Sequence, residues 1–280
     1  MLRSLFAGIS GLRTNQTMLD VTGNNIANAN TIGFKSSTTV FKDTLSQMLT
    51  AASSSSPGRG GTNAMQVGLG VQVGAIATNL GQGAAQTTGR TTDLMIQGDG
   101  MFVVHKGSEA LYTRAGAFTF DEKGYLTTPS GNLVQGYSFD PTTGVKSAAP
   151  GDIVVDFSKL TSYTIGSDGI VRGVTAGPPP TGGVQKDLFQ LAIADFDNPM
   201  GLEKVGETSF RESANSGAPM IDVPGQGRRG TLLGGSLEMS NVDLAAEFTN
   251  LILAQRGFQA SSRVITTSDQ VLEDLVNIKR

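Results

Sequence analysis

Cysteine and tryptophan are absent from the 280-residue chain, and there is one histidine, His105. Without cysteine there is no thiolate catalysis, no disulfide and no thiolate zinc site. A single histidine leaves the usual histidine-based metal sites unavailable. A Ser-His-Asp triad would have to use His105, and no nucleophile-elbow signature accompanies it. Charge is sparse too. Only 16% of residues are charged and the net charge is −3, with no basic patch for nucleic acid and no acidic tail for a basic partner. No apolar run approaches the ~18 residues of a membrane-spanning helix, so no membrane insertion is expected. What abounds is glycine, 37 residues, together with Ser, Thr and Asn. That composition points to turn-rich β structure more than to a helical bundle.

The two ends depart from this pattern. Residues 240–280 carry apolar and polar seam positions at alternating steps of four and three: Leu244, Phe248, Leu251, Gln255, Phe258, Ser262, Ile265, Asp269, Leu272 and Val276. This is the spacing of a helix that packs along another helix. Ser240 with Asp243 has the form of a capping box, which predicts a helix start at Ser240. Such a helix would be roughly 55 Å long, more than a small domain can cover. Gly257 in its middle costs about 1 kcal/mol relative to alanine, which suggests that another helix approaches closely there. Residues 2–27 carry a second seam: Leu2, Leu5, Ile9, Leu12, Gln16, Leu19, Gly23 and Ile26. Periodicity allows either a helix folded onto its own domain or one paired with the C-terminal helix. The first ten residues superficially resemble a signal peptide, but the helical pattern runs on past them, so no conventional cleavable signal is expected.

The first helix ends in four asparagines within seven residues, Asn24, Asn25, Asn28 and Asn30, followed by Gly33, Phe34 and Lys35. Asparagine side chains compete for backbone hydrogen bonds, so a helix end and an ordered turn are expected. Residues 36–50 read as a short helix and 51–64 as a flexible Ser/Gly linker. From 66 the period becomes two, and short strands follow within 94–104, 111–136, 153–157, 163–165, 170–174 and 188–196. Residues 176–183 read as a proline-rich loop and 201–224 as irregular. The fold class is α+β: paired N- and C-terminal coiled-coil-like helices plus a mainly antiparallel β domain. The expected division is 1–30 with 240–280, a connecting segment 31–65, and a β domain 66–239.

Candidate chemistry is thin. Residues 225–230 match G-x-G-x-x-G, but Pro224 precedes them and no helix pattern follows, so a glycine-rich loop is expected. Asp195 and Asp197 flank Phe196 at a strand end, where a turn outweighs a paired-carboxylate site. No catalytic residue, cofactor or metal ligand is assigned. A structural polymer subunit is favoured over a hydrolase with a β-domain cleft and over a surface adhesin or cap.

Three stretches carry a resemblance. They are MLRSLFAGISGLRTNQTMLDVTGNNIANANTIGFK at the start, DLMIQGDGMFVV with YTRAGAFTFDEKGYLTTPSGNLVQG in the middle, and residues 240–280. In this order they resemble the axial proteins of the bacterial flagellum, the rod and hook subunits. Both ends and residues 60–73 look like the hook type, while the lack of a large insertion between about 140 and 190 resembles its short form and also the distal rod, the runner-up. The resemblance implies a helical homopolymer whose terminal helices line a channel, and torque transmission between rod and filament. It also implies neighbours among the distal rod, hook cap and hook–filament junction proteins, and export through the flagellar type III apparatus to an extracellular hook. The seam residues above, with Asn24, Asn25, Asn28, Asn30, Gly33 and Phe34, are the expected assembly residues.

Overall fold

A computed structural model describes residues 2–55, 57–140, 145–175 and 184–278. The expected loop at 176–183 lies outside them, as does the side chain of Leu2. The chain is α+β and divides into two compact units. One comprises Met1–Ala27, Ser37–Thr78 and Val242–Arg280, the other Asn28–Ser36 and Asn79–Asn241. The boundaries therefore fall differently from those expected, because residues 37–78 belong with the terminal helices.

The first unit holds α1 (Leu2–Ala27), β1 (Ser37–Asp43), β2 (Ser46–Thr50), β3 (Met65–Gly68), β4 (Val71–Thr78) and α2 (Leu244–Ile278). The helix expected at 36–50 is instead two strands. Thr38, Thr39 and Val40 are β-branched and favour extended backbone. β1 pairs antiparallel with β4, from Ser37 opposite Thr78 to Asp43 opposite Val71, and β2 pairs with β3. The Ser/Gly segment closes the β2–β3 hairpin, where Ser53 and Thr62 exchange backbone hydrogen bonds of 2.9 and 3.1 Å. α2 starts later than the capping box implies. The Asp243 carboxylate accepts from the amides of Ala245 and Ala246 at 2.9 and 3.2 Å, so Asp243 is the N-cap.

The second unit is a mainly antiparallel sheet. Its neighbours run Leu160–Ile165, Ile170–Thr175, Val184–Leu191, Leu133–Ser138, Met101–Lys106, Glu109–Thr113, Ser209–Arg211 and Glu203–Gly206. Residues 101–104 pack on both faces. Phe102 and Val104 join one core with Leu94, Ile96, Phe118 and Leu191, and Met101 and Val103 join another with Tyr112, Tyr137 and Phe196. Burial on both sides is why this stretch reads as an apolar run instead of alternating. Phe102 meets Phe118 edge to face, 5.0 Å between centroids.

Two expectations for this unit change. Residues 201–224 contain a hairpin, Glu203–Gly206 with Ser209–Arg211, and a strand, Met220–Asp222, paired with Ile193–Asp195. The hairpin turn places Glu207 and Thr208 at φ 53° and 55°, where Asn-Gly or Asp-Gly would have announced it. At 153–157 there is only a bridge between Tyr125 and Val154. The Asp156 carboxylate then caps a short 3-10 helix, Phe157–Lys159. Phe102→Ala is expected to cost ~3–5 kcal/mol in urea unfolding of the β unit followed by circular dichroism.

Candidate assembly interface

α1 and α2 run antiparallel in one constant register. The Ser4 and Ser268 hydroxyls are 3.3 Å apart. A β-carbon built on Gly8 would lie 3.1 Å from the Ile265 side chain, one on Gly11 2.8 Å from Ser261 Oγ, and one on Gly257 2.6 Å from Asn15 Oδ1. Near the other end Asn25 Nδ2 donates to Glu247 Oε1 at 2.9 Å. The touching positions are thus Ser4, Gly8, Gly11, Asn15 and Asn25 against Ser268, Ile265, Ser261, Gly257 and Glu247. On α1 the touching row lies one residue ahead of the apolar seam and is made of small and polar residues; on α2 it largely does so, Ile265 belonging to both. The close approach expected at Gly257 is made by α1 of the same chain.

The seam residues consequently lie beside the contact. Leu5, Leu12, Leu19 and Ile26 on α1 are half-buried, Ile9 and Gln16 exposed. On α2, Leu251, Ser262, Ile265 and Leu272 are half-buried, while Leu244, Phe248, Gln255, Phe258, Asp269 and Val276 are exposed. Other apolar side chains stand out as well: Phe6 is 67% exposed, Leu253 60% and Val276 68%. So many exposed apolar side chains along two helices suit an interaction surface.

The asparagine-rich motif separates into roles. Asn25 is buried. Besides its bond to Glu247 it donates from Nδ2 to the Ser37 carbonyl at 2.8 Å and accepts from the Ser37 amide at 3.0 Å, tying α1, α2 and β1 together. Asn28 builds a turn, accepting from the Thr31 amide and hydroxyl, both at 3.1 Å. Asn24 and Asn30 are exposed. Gly33 belongs to the β unit. Its φ is +69°, its amide donates to the Glu238 carbonyl at 2.8 Å, and a β-carbon there would sit 2.6 Å from the Ala115 nitrogen. Only glycine fits that combination. Phe34 lies under Lys204 Nζ, 5.1 Å from the ring centroid.

Next to Gly33 is a cluster not anticipated from the sequence. Lys35 Nζ lies 2.6 Å from Glu238 Oε1, and Arg114 Nη1 lies 3.4 Å from Glu238 Oε2, with all three side chains buried. Lys35 also donates to the Gly81 carbonyl at 2.9 Å, and Arg114 Nη2 to that of Gly98 at 2.8 Å. Burial pulls the Lys35 ammonium and the Arg114 guanidinium below their ordinary values, against the pull of the Glu238 carboxylate.

Elsewhere the candidate chemistry resolves into structure. Arg228 bridges Asp195 and Asp197 at 3.1 and 3.4 Å. Residues 225–230 form a loop closed by the Gly225 amide on the Gly230 carbonyl, 3.0 Å, and lead into the strand Thr231–Gly234. Among the described residues no group of three or more His, Asp or Glu gathers as a metal site.

Comparison with known proteins gives this architecture its relatives. Three family models match in the order of the chain: "Flagella basal body rod protein" at residues 5–35, "Flagellar hook protein FlgE/F/G D1 domain" at 95–173 and "Flagellar basal body rod FlgEFG protein C-terminal" at 233–278. The flagellar basal-body rod protein FlgG of Bacillus subtilis is 48% identical over 281 positions, covering all of both chains. The chain belongs to the flagellar rod and hook protein family. The corresponding rod protein of Caulobacter vibrioides is 36% identical over 97% of both chains. The flagellar hook protein FlgE of Borreliella burgdorferi is 29% identical over 441 positions, again covering both chains fully. The family's N-terminal match takes in most of α1 and the Gly33–Phe34–Lys35 turn, its middle match takes in Arg114, and its C-terminal match takes in Glu238 and α2. The ends, expected to speak for the hook type, match a rod protein of equal length throughout, and the comparisons favour the rod alternative over the hook reading.

Two outcomes are expected from the seam and the cluster. Gly23 has nothing within 4 Å of a built β-carbon, so Gly23→Ala should stabilise α1 by up to ~1 kcal/mol, whereas Gly257→Leu should reduce helical circular dichroism by displacing Asn15. Glu238→Gln removes the one carboxylate that bonds both Lys35 and Arg114 and should cost ~3–5 kcal/mol in chemical unfolding of the β unit.

Proposed function

We propose that this chain is a rod-type subunit of the bacterial flagellar axis, of the distal-rod kind, which polymerises through the flanks of α1 and α2. The observation that carries this is the exposed apolar surface of both helices. Their contact with each other includes close approaches at Ser, Gly and Asn positions and leaves Phe6, Phe248, Leu253 and Val276 exposed. Two helices of this kind gain most of their stability from packing, so covering these flanks with further copies drives assembly. The rod reading over the hook reading rests on length and identity. The Bacillus subtilis rod protein aligns without a length difference that matters, while the hook relative extends the alignment to 441 positions. Its neighbours are then other copies of itself and the axial proteins above and below it, it reaches its place through the flagellar export apparatus, and its location is the basal body. It works as a structural element, and no catalytic role is assigned.

Concentrated protein examined by negative-stain microscopy should give short straight tubes. Curved tubes would instead support the hook reading. Phe248→Asp combined with Val276→Asp should abolish the tubes while leaving unfolding of the β unit unchanged; tubes formed by that double variant would refute polymerisation through these flanks.

A further inference from the structure

The Asn241 side chain joins points where the chain leaves the β unit. Its Oδ1 accepts from the Ser36 amide at 2.8 Å, and its Nδ2 donates to the carbonyls of Asn79 at 2.8 Å and Gly81 at 3.0 Å. The Asn79 amide in turn donates to the Ser36 carbonyl at 2.8 Å. Residues 36, 79 and 241 are the ones at which the chain passes to or from the helical unit after the first crossing at 27–28. Three residues before Asn241, Glu238 anchors the same segments through Lys35, the Gly33 amide and the Gly83 amide. In the helical unit the contact nearest in sequence to these points is Asn25 with Glu247, and the most distant is Ser4 with Ser268.

We propose that Asn241 is a registration residue. It holds the chain ends of the β unit together so that α1 and α2 pair from the Asn25–Glu247 end first and close at Ser4–Ser268 last. Two physical requirements meet here. Partners such as Asn25 and Glu247 are 222 residues apart in the chain, and bringing them together from an open loop carries a closure cost that a pre-formed clasp removes. A heptad pattern also matches itself after a slip of seven residues, so seam chemistry alone leaves the register ambiguous. A clasp that fixes where the chain leaves α1 and where it enters α2 excludes the slipped pairing. The inference goes beyond the proposed function, since it holds whichever axial structure the subunit builds.

The absence of cysteine makes the register directly readable. In the full-length chain, assembled at high concentration, Ser4→Cys with Ser268→Cys should form an intramolecular bridge. Ser4→Cys with Ser261→Cys, displaced by one heptad, should form essentially none. Adding Asn241→Ala should shift bridging toward the displaced pair. It should also speed amide exchange in residues 20–27 and 245–252 by about tenfold or more, the effect of losing a few hydrogen bonds. Exchange of residues 102–104 should stay unchanged, which shows that the β unit has kept its fold. Unaltered bridging and exchange in Asn241→Ala, or protection of residues 4–11 ahead of 20–27 during refolding, would overturn the proposal. So would failure of the parent to form the Ser4–Ser268 bridge.

Discussion

The Glu238 carboxylate is the interaction on which the order of the β unit depends. It sits without solvent between the Lys35 ammonium and the Arg114 guanidinium, and it also accepts from the Gly83 amide at 2.9 Å. One carboxylate bonds both cations, and the Asp99 carboxylate adds a second negative charge near Arg114. The carbonyls of Gly81, Ile96 and Gly98 are turned toward these cations as well. Desolvating three charges is costly, and an apolar substitute of similar volume can be as stable, so strength alone does not account for such a cluster. Its consequence here is positional. Residues 33–35, 81–83, 114 and 238 have one arrangement that satisfies every charge, and Gly33 can enter it only because its backbone occupies the left-handed region against Ala115.

The helical unit solves the opposite problem. Glycines at 8, 11 and 257 each weaken their helix by about 1 kcal/mol, yet they bring the two helices close enough for Ser261 and Asn15 to fill the space a side chain would have taken. Asn15 stays satisfied by donating to the Gly11 carbonyl at 2.8 Å. The helix pair is therefore specified by close approach and by a few polar ties. The apolar free energy available to it remains largely unspent on its flanks.

These two solutions account for what could be read in the sequence. The long helices were visible because their heptad spacing is sustained over such lengths, and the matching period at both chain ends pointed to their pairing. The contact row on α1 was missed by one residue because periodicity finds the most apolar stripe, while closely packed helices touch through their smallest residues. Strands with both faces buried, such as Met101–Lys106, were legible as apolar runs, and Gly98 and Gly100 marked the turn before them. The strands at 37–50 were not, because their apolar side chains are exposed and carry no clear alternation. The charged cluster was invisible for a different reason. Lys35 and Glu238 stand 203 residues apart, and each alone reads as an ordinary surface charge.

The placement of the exposed apolar residues bears on the kind of assembly. With Glu247, Ser261 and Ser268 in the α2 contact row and buried Ala254 at the same heptad position, helical spacing puts Phe248 and Ile252 on one flank and Leu253, Val264 and Val271 on the other. A closed two-fold dimer needs one self-complementary patch and would leave the second flank in water. Two different apolar flanks on the same helix are instead suited to two different neighbours, and contacts between unlike patches propagate into an open helical array. The polar residues Gln255 and Asp269 fall on the first of these flanks, at the same heptad position as Phe248, where they interrupt the apolar surface at intervals. Spaced interruptions limit how a neighbouring helix can slide along the flank, so the flank that contributes apolar area to assembly also restricts its register.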